Sequence, residues 1–262
     1  MSVSPEQQSQ IRSLDQYLEF VNDCPGRVGW AAKNAMSHIF MATQIAKIDP
    51  LMAAFRAICA EEEAATALIS SLKKHKYKGA ESVKFHSHQD KQSVVVFIQL
   101  IKKWYVDFHP QVDWGLDKVQ FYPCDVAGRK AIGIFMPIKG NGKSIFIEPP
   151  LSLQARGNKG WAHIIKEGIG KICSEGGYRK FPEMIKDRAN FRNRLLYASD
   201  SHIPGWSGDV GPFIVNQSGV VGALLRTLGM IDPWSPLTYE RSSLVEACIE
   251  VYLELMYPNR SH

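Results

Sequence analysis

In the run AICAEEEAATALISSL, Ala57–Leu72, three consecutive glutamates interrupt what otherwise reads as a buried helix. No other stretch restricts the fold as much. At about 3.6 residues per turn, the apolar face of this helix runs through Leu51, Phe55, Ile58, Ala65, Leu68, Ile69 and Leu72. Glu61 and Glu62 then fall on or beside that face, while Glu63 falls with Arg56 and Ser70 on the other side. A carboxylate moved into an apolar setting needs a cation or hydrogen-bond donors to offset its lost hydration. Other parts of the chain must therefore bring basic groups onto the middle of this helix.

The next helix supplies candidates. In FHSHQDKQSVVVFI, His88 and Lys91 stand three residues apart, one turn before an apolar stripe through Val94, Phe97, Ile98, Ile101, Trp104 and Tyr105. Projected backwards, Lys91 faces the core. If the two helices run antiparallel and the connection KHKYKGAESVKFHSH doubles back, Glu61, Glu62, His88 and Lys91 converge. His38, with Asn34 four residues before it on the inner side of the preceding helix, is a further candidate member.

These residues also carry a resemblance. The segment from AFRAICAEEEAATALISSL to HSHQDKQSVVVFI resembles the helical core of HEPN-superfamily proteins, in particular AbiV-type members. Those share an alanine-rich helix bearing an acidic pair, followed by an H-x-x-K before the next helix. The matching positions are Glu61, Glu62, His88 and Lys91, and the likeness spans residues 30–108, less than half the chain. It implies a helical bundle that forms a homodimer, with RNA as partner and RNA cleavage or antiviral defence as the context. The arginine that precedes a histidine by a few residues in the catalytic ribonucleases of that superfamily has no counterpart in residues 80–110. The nearest approach, Arg156 ahead of His163, lies outside the resembling region. Binding-only members therefore stay open as an alternative.

The chemistry stands without the family. Metal-independent RNA cleavage needs a base for the 2′-hydroxyl proton, an acid for the leaving oxygen and a cation for the phosphorane. His88 suits the base or acid and Lys91 the cation, with Glu61 or Glu62 orienting the imidazole. The competing reading makes the same four residues a satisfied polar knot that holds two helices in register.

Around this core the chain divides by pattern. Helical periodicity runs from PEQQSQIRSLDQYLEFVNDC, ended by CPG, through GWAAKNAMSHIFMATQIAKI, where Asp49 caps the glutamate-bearing helix and Pro50 opens it. Beyond Pro110 the runs DKVQFYPCDV, KAIGIFMPI and KSIFIEPP are short, β-branched and aromatic, with AGRK and KGNGK as hairpin turns. Helical patterns then return in GWAHIIKEGIGKICSEGG, PEMIKDRANFRNRLLYAS, PFIVNQSGVVGALLRTLGM and TYERSSLVEACIEVYLELM. The expected fold class is α+β and mainly α. A helical bundle (1–112) precedes an α+β domain (113–262) with a short antiparallel sheet and several helices, the boundary falling near residues 110–116.

Other motifs weigh less. KGNGKS is no phosphate loop, because Pro137 stands where the first glycine is required and a strand follows. His75, His86 and His88 read as linker residues, so no metal site is expected, and no motif implies a cofactor. Arg188, Arg192 and Arg194 in KDRANFRNRLL form the best basic patch and are candidates for nucleic-acid contact, against the plainer reading of a solvated face. DSHIPGWSGDVG offers Asp200, Ser201, His202 and Asp209 without a nucleophile elbow, with Trp206 at the tip of a loop long enough to be a lid or grip. Five scattered cysteines without a CxxC pair, the absence of a signal-peptide pattern and the lack of any long apolar run point to a reduced, cytoplasmic chain with no membrane partner. A net charge of +5 permits a nucleic-acid partner without demanding one.

Overall fold

The computed structural model describes residues 3–108, 118, 120–126, 129–140, 142–147, 181–199, 201, 203–231 and 241–257. The boundary near 110–116, the helical pattern at GWAHIIKEG with Arg156 and His163, and Asp200 and His202 lie outside the described residues. The fold is α+β and mainly α.

Capping and helix-breaking residues set the element ends. In α1 (Pro5–Arg12), Ser4 and Gln7 form a reciprocal capping box. A single helix expected through residue 24 is instead broken. Ser13 turns its hydroxyl onto the Gln10 carbonyl at 2.6 Å, a local bond that competes with helix continuation. A 3₁₀ segment, Ser13–Tyr17, follows before α2 (Leu18–Asp23). Next come α3 (Gly26–Ile45) and α4 (Pro50–Lys74), the latter capped by Asp49, whose carboxylate accepts from the Met52 amide at 2.9 Å.

Helix α4 is the axis of the molecule. Its buried positions include Ala53, Ala54, Ala57, Ala60, Ala64, Ala65 and Ala67, so partner helices approach closely on several sides. Helix α3 lies along one side and α7 (Gly211–Met230), itself carrying buried Gly222, Ser218 and Gly229, along another. Helix α5 (His88–Phe108) packs against α4 and buries Val94, Phe97, Ile98 and Ile101, as the apolar stripe requires. Helices α6 (Phe181–Leu196) and α8 (Ser243–Met256) close the layer over α5.

The α4–α5 connection is packed rather than merely polar. Gly79, at φ 84°, sits where an added Cβ would fall 2.8 Å from Leu253 Cδ1, so the turn-back needs glycine for both conformation and space. Tyr77 and Val83 are buried, and Asp90 accepts from the Lys84 amide at 2.7 Å and the Tyr257 hydroxyl at 2.8 Å.

Three strands, β1 (Gln120–Val126), β2 (Arg129–Pro137) and β3 (Ser144–Ile147), form an antiparallel sheet in sequence order. The KGNGK turn joins Pro137 to Ser144 across the β2–β3 ladder, with Gly140 and Gly142 at positive φ. Met136, 1% exposed, ties the sheet to the core.

Described buried side chains on both sides of the expected boundary between 1–112 and 113–262 belong to one cluster. One contiguous set of buried side chains runs from Val3 to Met256, and α7 packs directly on α4 and α3. The physical reason is that α4 carries apolar residues around most of its circumference, more than one neighbouring helix can cover.

Candidate functional site: a buried glutamate pair between two cavities

Glu61 and Glu62 are 1% and 3% exposed, on the inward side of α4 as the helical spacing predicts. Being consecutive, they point to different neighbours. Glu62 receives His88 Nδ1 at 2.8 Å and Lys91 Nζ at 3.3 Å on Oε2, both from the first turn of α5. Arg192 Nε stands 3.4 Å from Oε1, an ion pair without hydrogen-bond alignment, with its guanidinium over the Phe55 ring. Since α4 runs on for twelve residues after Glu62, the connection carries the chain back about 18 Å before α5 begins.

Glu61 faces α6 and α7. Arg188 Nη2 donates to both of its oxygens at 2.6 Å, and the Gln217 side chain adds a hydrogen bond. Burial nonetheless raises the Glu61 pKa above its ordinary value, outweighing the Arg188 charge and hydrogen bond that pull it down, with the Glu62 charge adding to the rise.

The structure therefore joins His88, Lys91, Glu61 and Glu62 through Glu62 and the shared α4 turn, but distributes their partners differently from the expectation. Arg188 and Arg192, read from sequence as a phosphate-contacting patch, are spent on the two glutamates. One helical turn apart, they share the face of α6 that covers α4, where a buried carboxylate attracts a cation more strongly than water does. Arg194 alone of the three is exposed, its guanidinium 5.7 Å from the Phe191 ring centre. His38 stays outside the cluster: its Nδ1 lies 3.5 Å from Arg56, and burial followed by the Arg56 charge lowers its pKa.

In the loop before α7, Asp209 caps the Gly211 amide at 3.0 Å. Trp206 is no free tip, because it packs on Phe213 and Phe191 at ring separations of 5.3 and 6.5 Å.

Glu61 lines one cavity, and Lys91, the partner of Glu62, lines another. On the Lys91 side, a groove of about 730 Å³ is lined by Arg27, Trp30, Lys33, Phe85, His86 and Lys91, with Glu63 as the one acid among the described residues. Trp30 is 72% exposed there, and Arg27 lies 4.4 Å above the Phe85 ring. On the Arg188 side, a cavity of about 440 Å³ opens between α4, α5, α6 and α7. The groove was not foreseen, although Arg27, Trp30 and Lys33 share one face of α3 at helical spacing and gave a readable signal.

No family model, curated protein or solved structure matches the chain. Among the described residues, no helix is long and apolar enough to cross a membrane.

The raised Glu61 pKa has a consequence for stability. Between the ordinary carboxylate value of 4.5 and its raised one, the folded chain holds a proton that the unfolded chain has lost. The stability contributed by Glu61 therefore falls as pH rises through that window and is regained as pH drops toward 4.5. Thermal melts across this range should show wild type gaining on Glu61→Gln as pH is lowered. A difference between the two that does not change with pH contradicts the assignment.

Proposed function

We propose that this protein binds single-stranded RNA along the Trp30–Phe85 groove and cleaves it by proton transfer at His88, a HEPN/AbiV-like activity of the kind used in prokaryotic antiviral defence or stress response. One observation carries the reading. A buried carboxylate, Glu62, holds both Nδ1 of an imidazole whose side chain is 46% exposed and the ammonium of Lys91, which lines a groove built of cations and aromatic faces.

The carboxylate fixes the tautomer, so Nδ1 keeps the proton and Nε2 has a free lone pair. In that state Nε2 accepts the 2′-hydroxyl proton as the 2′-oxygen attacks phosphorus. The P–O5′ bond breaks, and the imidazolium returns a proton to the departing oxygen. Lys91 borders the groove as well as Glu62 and places positive charge where the phosphorane develops. Arg27 and Lys33 suit neighbouring phosphates, and Trp30 and Phe85 offer faces on which bases stack without sequence preference.

Purified protein incubated with total RNA, with and without chelator, tests this directly. The expected outcome is cleavage that chelator leaves intact and that yields 2′,3′-cyclic phosphate ends. Trp30→Ala and Lys33→Ala should each weaken RNA binding by about tenfold, the Lys33 change also reducing the salt dependence. Wild type that neither binds nor cleaves RNA ends the reading.

A second reading has its own observation. Glu61 and Glu62 are each matched by cations from α5 or α6, as a structural knot in a non-catalytic dimerisation or partner-binding module would require. Phe40 and Ile48, 61% and 85% exposed, offer such a module apolar surface for a second copy. RNA binding without cleavage, by a dimer, selects it.

A further inference from the structure

The second cavity has features that RNA binding does not use. Its inner wall carries Gln92 and Gln217, 2% and 4% exposed, and the side-chain oxygen of each has no hydrogen-bond donor. A buried amide oxygen left without a donor is costly, so two on one cavity wall require a reason. For Gln217 the orientation is determined. While Glu61 is ionised it accepts only, so the Gln217 amide nitrogen serves its carboxylate and the oxygen is the atom left over.

The rest of the lining divides cleanly. Ile58, Met184, Phe191 and Phe213 form an apolar wall, and Trp206 stiffens it from behind by packing on both phenyl rings. Glu183 and Asp187 stand exposed at the rim on α6. Among the described residues, the one cation in the lining, Arg188, is already held by Glu61. The cavity thus combines, among the described residues, unmet acceptors at depth, an apolar side and negative charge without a matching cation at its mouth. Its volume of about 440 Å³ lies in the range of small-molecule sites.

We propose that this cavity binds a small organic cation, an amidinium or protonated amine on a flat apolar body, whose N–H groups donate to the Gln92 and Gln217 oxygens. The apolar body lies against Phe191 and Phe213, and the rim carboxylates draw the charge in. An anionic ligand is disfavoured, because it would have to displace Glu61 from Arg188 at two 2.6 Å contacts.

Benzamidine and benzoate share a ring and differ in charge and donors, so calorimetric titration of the intact protein with each tests the site. Benzamidine should bind saturably and benzoate should not. Gln92→Leu replaces an amide lacking a partner on its oxygen by an apolar group of similar size. It should weaken benzamidine binding by about tenfold while leaving the melting temperature unchanged or higher. Asp187→Asn, on the exposed rim, should weaken binding severalfold and flatten its salt dependence. The proposal is overturned by absence of saturable benzamidine binding, by tighter binding of benzoate, or by benzamidine affinity unchanged in Gln92→Leu. If Gln92→Leu does not fold, wild-type affinity in Asp187→Asn overturns it alone.

Discussion

Arg188→Met is expected to lower the unfolding free energy by about 3 kcal/mol, the low end for removal of one partner from a buried ion pair. The size follows from the asymmetry of the pair. Glu61 is 1% exposed on its side-chain surface and Arg188 31%, so the change strands the carboxylate rather than the guanidinium. Two effects hold the cost at the low end: water already reaches Arg188, and the stranded Glu61 escapes part of the penalty by taking up a proton. That escape is itself measurable, because Arg188→Met should become markedly more stable as pH falls toward 4.5, more so than wild type. Changing both partners to apolar residues, Glu61→Leu with Arg188→Met, should recover most of the loss, since a well-packed apolar pair needs no desolvation of charge. Chemical denaturation of the four proteins gives the cycle. A double variant as unstable as Arg188→Met alone contradicts the account.

His88→Ala carries the largest expected effect on activity. If Nε2 moves the proton, RNA cleavage should fall by a hundredfold or more, on the order expected for loss of a general acid or base. Melting temperature should hardly change, because Glu62 keeps Lys91 at 3.3 Å and Arg192 at 3.4 Å. Lys91→Ala reverses the pattern. It removes a charge that is only 11% exposed on its side chain and should cost more stability than His88→Ala. RNA affinity should survive in His88→Ala, since Arg27, Lys33 and Trp30 remain. Cleavage undiminished in His88→Ala removes His88 from the mechanism. A large loss of stability in that variant instead places His88 in the structural knot.

Much of this was legible in the chain. Helical spacing placed Glu61 and Glu62 inside α4, and the need to compensate them pointed to Lys91 and His88, which α5 delivers to Glu62. The apolar stripe of α5, the Asp49–Pro50 start of α4 and the hairpin at KGNGK are local patterns set by period, capping and turn chemistry, and each appears in the fold. Local patterns misled where a neighbour decided the outcome. Arg188 and Arg192 look like a solvated basic patch until α6 is seen to lie against α4, with the Glu61 contact reached across 127 residues. Nothing in the spacing of two arginines names their acid, because pairing at that separation depends on which helices pack and leaves no periodic trace. The same holds for the cavity beside Arg188, whose walls come from helices far apart in the chain. The sequence alone determined which residues had to be buried and that the buried carboxylates required cations. Only tertiary packing decided which cations reached each carboxylate and which polar atoms were left without a partner, because side chains from different helices meet through the packing of the whole core.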